Sequence, residues 1–164
     1  MKSDTSLLSS LDQGHEQALN LGEIEIFSKL DAATITGLAS VVREISLPAH
    51  NRLCSRGDAG DEIFFVRRGR LEALLPLEGG KRHHLATFCQ GDFLGEMAFL
   101  DREPRSADLG AVTATDLYAL SRERFDALVK TNPALGGRVF EQLAYAISKR
   151  LRMADTELRA LEER

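Results

Sequence analysis

The period of hydrophobicity changes twice along this chain, and that change constrains the fold more than any single motif. Between residues 42 and 121 the apolar residues come in short runs, "VREISL", "DEIFFV", "RLEALLPL", "RHHLATF" and "DLYALS". Turn-forming stretches separate them: "SRGDAGD", "RRG", "EGGK" and "CQGD". Closely spaced short strands broken by glycine turns predict an antiparallel β-roll or jelly roll. "LEGGK", between two of the runs, suits a hairpin turn.

Helical spacing lies on both sides of this β region. Leu7 to Ser40 read as short helices: Ile24, Phe27 and Leu30 recur at helical intervals, and Asp31 can cap "AATITGLASVV". After the last strand, Ser121 is placed to cap "RERFDALVKTN", and Pro133 stands where a second helix begins. No proline follows from Ala134 to Arg164, although Gly136 and Gly137 weaken the first turn. Ile147, Leu151, Ala154, Leu158 and Leu161 then follow coiled-coil spacing. The start of this stripe can pack on the β-core; beyond Met153 it predicts a meeting with a partner helix. The expected fold is mainly β with flanking helices. It divides into a helical segment at 1–40, a β-roll at 41–121 and C-terminal helices at 122–164.

With 164 residues, 43% of them hydrophobic and 28% charged, the chain suits one folded domain with helical extensions. A net charge of −4 supplies no basic field to draw it onto nucleic acid or anionic lipid. Cys54 and Cys89 form no CxxC pair and read as buried thiols of a reducing cytosol. The first residues lack the apolar run of a signal peptide, and no stretch reaches the ~20 apolar residues of a membrane helix. A cytoplasmic, soluble domain is expected, including one attached to the cytosolic end of a membrane protein.

One segment carries chemistry: "GEMAFLDREPRSAD", from Gly95 to Asp108. "GEMAFL" reads as a single turn of helix, whose first amides lack partners and attract an anion. Gly95 lets a ligand approach the backbone. Pro104 stiffens the return, Arg105 brings a planar fork matched to two phosphate oxygens, and Ser106 adds a hydroxyl. The amides of Ser106 and Ala107 complete a small cradle. Glu96 is the oddity, because a carboxylate repels phosphate. Two readings account for it. It accepts a hydrogen bond from a neutral hydroxyl beside the phosphate, or it complements the helix dipole and pairs with Arg105.

The same stretch, "GEMAFLDREPRSA", resembles the phosphate-binding cassette of the cyclic-nucleotide-binding domain family. The likeness extends through "GDAGDEIFFVRRGRLEALL", "CQGDFLGE" and "ATDLYALSRERFDALVKTNPAL", roughly Phe27 to Arg152. The resemblance implies that Glu96 holds a ribose 2′-hydroxyl and Arg105 a cyclic phosphate. Gly95, Met97, Ala98, Ser106 and Ala107 complete the cassette. By position, Ala73, Leu85, Ala86 and Phe88 line the mouth that takes the base, or else are plain core. The C-terminal helix would cover the base. Where catabolite-activator-like members place adenine-selecting hydroxyls, this chain has Ala154 and Asp155, with Arg150 and Arg152 as candidate lids. Some cGMP-preferring members have threonine after the cassette arginine; Ser106 stands there here, so the resemblance points to cAMP before cGMP.

Other readings lose. His83 and His84 are adjacent on a strand and so point to opposite faces, which argues against a metal site of the cupin kind. Asp92, Glu96 and Asp101 have no nucleophile or base constellation beside them, which argues against an enzyme. No helix-turn-helix follows the long helix, so this chain alone is not expected to read DNA. The tail "KRLRMADTELRALEER" resembles cyclic-nucleotide domains at the C-terminus of larger bacterial proteins, such as sulfate-permease-type transporters and glutaminases. An attached transporter or enzyme domain and a weak homodimer through the C-terminal helix are therefore expected. The competing expectation is a dimerisation module that keeps the fold without binding a nucleotide.

Overall fold

A computed structural model describes residues 21–163. Among the described residues eight strands form two antiparallel four-stranded sheets. They are β1 (Arg43–Leu47), β2 (Arg52–Cys54), β3 (Glu62–Arg68), β4 (Arg70–Pro76), β5 (Arg82–Cys89), β6 (Phe93–Leu94), β7 (Asp108–Ala111) and β8 (Thr115–Ser121). One sheet runs β1-β8-β3-β6 and the other β2-β7-β4-β5. The helices are α1 (Ala32–Ala39), α2 (Glu96–Asp101), α3 (Arg122–Thr131) and α4 (Pro133–Glu162), with one 3-10 turn at Glu25–Phe27 before them.

Local chemistry sets most boundaries. The Asp31 side chain accepts from the Thr34 amide at 2.7 Å, Ser121 accepts from Arg124 at 3.2 Å, and Asn132 accepts from Leu135 at 3.2 Å, ahead of Pro133. Gly79 and Gly80 turn the β4–β5 hairpin with φ of 74° and 76°, and the Leu77 amide donates across it to Lys81 at 2.8 Å.

Three local expectations need correcting. Ile24, Phe27 and Leu30 do not share a continuous helix. A 3-10 turn carries Phe27, and both Ile24 and Phe27 are buried because the turn drops them onto the sheet. Half of the expected N-terminal helical segment, residues 1–20, lies outside the described residues. The strands β2, β6 and β7 were missed: each has only two to four residues, and pairing with a neighbour defines them rather than any period of their own. Cys54 is half-buried but Cys89 is exposed, because it ends β5 on the rim of its sheet.

The core has two layers. Between the sheets lie Phe64, Val66, Leu71, Ala73, Leu94, Leu109, Leu117 and Ala119. On the outer face of the first sheet, Ile63, Phe65, Tyr118 and Leu120 meet Leu38, Phe125, Leu135, Val139 and Leu143 from the helices. The run "IFFV" is continuous rather than alternating because both faces of β3 are covered. Phe99 of α2 joins this outer layer, with ring centroids 5.5 Å from Phe125, which stands 5.2 Å from Phe140. The short cassette helix is thus packed against the C-terminal helices.

Candidate functional site

Gly95 follows β6 and caps the start of α2 with φ 81°, a left-handed conformation that favours glycine. A Cβ at this position would stand 2.8 Å from Arg105 Nη1 and 2.9 Å from the Glu62 carbonyl oxygen. Arg102, with φ 60°, closes the helix and returns the chain towards Pro104. The Arg105 backbone is clamped from both sides: its amide donates to the Asp58 carbonyl at 2.9 Å, and its carbonyl accepts from Gly57 at 2.8 Å.

The Arg105 side chain is buried, with a relative exposure of 6%. Its Nη1 donates to the Glu62 carbonyl at 2.9 Å and to the Gly95 carbonyl at 3.4 Å. The guanidinium carbon lies 5.1 Å from the Phe64 ring centroid. Among the described residues no carboxylate pairs with it, and no protein acceptor takes a hydrogen bond from Nε or Nη2. A buried cation without a counter-ion is costly unless something else neutralises it. Burial pushes the Cys54 thiol above its ordinary pKa, an effect that the nearby Arg105 charge only partly offsets.

Glu96 does not pair with Arg105. Its Oε1 lies 3.3 Å from Nη1 of Arg150 on α4. Arg150 also donates from Nη2 to the Phe93 carbonyl at 2.7 Å and stacks on the Phe93 ring, 3.9 Å from its centroid. The helix-dipole reading of Glu96 therefore had the wrong partner. The cation it meets comes from 54 positions along the chain, which no local spacing reveals.

These groups face a cavity of about 1010 Å³ bounded by the β-roll, α2 and α4. Its wall includes Gly95, Glu96, Met97, Ala98, Arg105, Ser106 and Ala107 from the cassette, and Ala73, Leu85, Ala86 and Phe88 from β4 and β5. Leu85 and Ala86 are neighbours, yet both reach the wall. The register of β5 against β4 shifts here, from Ala73↔Ala86 to Leu74↔His84, which leaves Leu85 as the extra residue of a bulge. Arg150 lines the cavity. Arg152 does not: two positions along a helix turn it away, and it is exposed on another face. Ala154 and Asp155 are also absent from the wall, where Met153 and Glu157 stand instead. Sequence reasoning missed Thr87, Leu109, Lys149 and Met153. A helical projection anchored on Arg150 finds Met153, three positions on, and places Lys149 beside it.

His83 and His84 are exposed on β5, with His84 Nε2 2.8 Å from the Thr87 hydroxyl. Among the described residues no cluster of three or more His, Cys, Asp or Glu is arranged to hold a metal ion. No helix there is long and apolar enough to cross a membrane.

Fold and site together define a β-roll that presents a helix terminus and an unneutralised buried arginine to a cavity walled by a long C-terminal helix. The profile of the cyclic nucleotide-binding domain family matches residues 44–132, and the chain belongs to that family. It is 38% identical over 103 residues to the cyclic AMP receptor protein of Thermus thermophilus, covering 63% of this chain and 46% of that protein. It is 30% identical over 112 residues to a cyclic nucleotide-gated potassium channel of Rhizobium etli, covering 68% of this chain and 30% of the channel. The crystal structure of a cyclic nucleotide-binding domain from Methylobacillus flagellatus superposes with a TM-score of 0.77 at 25% identity, covering 89% of this chain and 82% of that one. The chain thus spans less than half the length of these two curated relatives.

Proposed function

We propose that this chain is a regulatory sensor of a cyclic mononucleotide, with cAMP preferred over cGMP, and that it has no catalytic role of its own. The observation that carries the reading is Arg105. It is a buried guanidinium whose Nε and Nη2 have no protein acceptor among the described residues, beside the first turn of α2. A cyclic phosphate supplies the missing charge and two oxygens in the geometry of the fork. Ser106 and the backbone near Ala98 and Ala107 add donors. Glu96, too close to this cradle to suit a second anion, takes the ribose 2′-hydroxyl. Ala73, Leu85, Ala86 and Phe88 receive the base, and Arg150 closes over it from α4.

The preference for cAMP follows the family resemblance at Ser106 and agrees with the kinship to the cyclic AMP receptor protein of Thermus thermophilus. The domain acts in the cytoplasm or at the cytosolic end of a larger membrane or enzymatic protein. It associates as a weak homodimer through α4, where Leu151, Leu158 and Leu161 are each about 60% exposed. Calorimetric titration with cAMP and cGMP tests the reading. Arg105→Ala is expected to cost about 2–5 kcal/mol of binding free energy, and Glu96→Ala about 1–3 kcal/mol. Absence of heat with either nucleotide would leave the nucleotide-free dimerisation module as the better account.

A further inference from the structure

Arg150 is held at three close points, with a looser contact to the Phe88 ring 5.8 Å from its centroid. Its Nη2 donates to the Phe93 carbonyl, its guanidinium stacks on the Phe93 ring, and its Nη1 faces Glu96 at 3.3 Å. Among the described residues it is the one cation within ion-pair distance of Glu96. Lys149, its neighbour on α4, is engaged elsewhere, 3.2 Å from Glu25. The Glu96 side chain is only 18% exposed, so its charge is poorly screened and this pair counts for more than a surface pair. The two charges are close but not aligned as a hydrogen bond, whereas the contact to the Phe93 carbonyl is short and direct. The grip of Arg150 on β6 is therefore firm, and its grip on Glu96 is the one that can give way.

We propose that Glu96 serves two claimants, the ribose hydroxyl of the ligand and Arg150 of α4, so that Arg150 sets how strongly the site discriminates for that hydroxyl. The proposal rests on the cyclic-nucleotide reading above. A carboxylate has room for several donors, but part of its charge is already neutralised by the guanidinium, and a hydroxyl then gains less from it. Conversely, a hydroxyl donating to Glu96 weakens the tie to Arg150 and frees α4 on the cassette side, while the Phe93 contact keeps the helix nearby. Arg150 is thus a positioning residue acting through Glu96, and it links occupation of one atom pair in the site to the seating of a 30-residue helix.

The test compares cAMP with 2′-deoxy-cAMP on wild type, Arg150→Gln and Arg150→Lys, by calorimetry. Loss of the guanidinium is expected to raise the ratio of the two dissociation constants by roughly threefold to tenfold, the scale of one partly shielded ion pair. Arg150→Lys, which keeps the charge, should fall between. A purely structural role for Arg150 would weaken both ligands alike and leave the ratio unchanged, which overturns the proposal. Amide hydrogen exchange over residues 146–157, measured without nucleotide, checks the tie itself. Arg150→Gln and Glu96→Gln should each speed it several-fold, and unchanged rates in both would sink the latch. Faster exchange in both variants with no nucleotide bound by any protein would instead bring down the functional reading, so the two failures remain distinct.

Discussion

Arg122 donates from Nη1 to the carbonyl of Phe99 at 2.9 Å, fastening the cassette helix to the first residue of α3. Its Nε also donates to Asp126 at 2.8 Å, and Asp126 accepts from Arg102, the last residue of the cassette turn, at 2.7 Å. The guanidinium lies over the Phe99 and Phe140 rings, 5.5 and 5.2 Å from their centroids. Cassette, α3 and α4 therefore meet at one mostly covered cation. Arg122→Ala removes a charged hydrogen bond and the packing of the side-chain stem, an expected loss of about 1–3 kcal/mol in urea unfolding. Asp126→Ala, at a more exposed position, should cost less than about 1 kcal/mol. Equal effects would mean that the ring contacts are unimportant.

Arg105 predicts a conflict between stability and binding. The protein keeps a buried guanidinium with no carboxylate within ion-pair distance among the described residues, and replacing such a group with an apolar side chain of similar length removes a desolvation cost. Arg105→Met is expected to leave the thermal midpoint of the nucleotide-free protein unchanged or raised while binding of cAMP is lost. A marked fall in that midpoint would show that the bonds to the Glu62 and Gly95 carbonyls outweigh the buried charge.

Two neighbouring glycines of α4 should respond in opposite directions. At Gly136 an added Cβ would stand 2.7 Å from Cγ2 of Val129, because α3 and α4 pass close to each other there. Gly136→Ala should destabilise by about 1–3 kcal/mol through overpacking. At Gly137 nothing lies within 4 Å of such a Cβ. Gly137→Ala should stabilise by roughly 0.5–1 kcal/mol from helix propensity alone. Denaturant midpoints of the two single variants decide the matter.

The end of α4 predicts coupled association and affinity. Every described residue from Leu151 onwards is exposed within the single chain, and Ala154 adds little to the seam of Ile147, Leu151, Leu158 and Leu161. Truncation before Ala154 is expected to shift the protein to monomer in light scattering. It should also weaken cAMP several-fold in calorimetry, since the distal stretch of the α4 wall of the cavity is lost. No change in either measurement would reduce the last two turns to a tail.

What the sequence determined by itself was whatever depends on near neighbours in the chain. The strand runs with their glycine turns, the caps at Asp31 and Ser121, the Pro133 start and the Gly95 to Ala107 cassette are all local, set by backbone sterics and by donors a few residues from their acceptors. The tertiary structure decided the rest, because it depends on elements that meet only after folding. β2, β6 and β7 exist as strands because partners supply their hydrogen bonds. Leu85 reaches the cavity through a shift in register against β4. The partner of Glu96 is Arg150 rather than Arg105, and Arg152 faces away from the cavity that Arg150 lines. Those last facts turn on the rotation and seating of one long helix against the roll. Helical periodicity tells which side chains share a face, but only packing against Phe93 and the cassette tells which face that is.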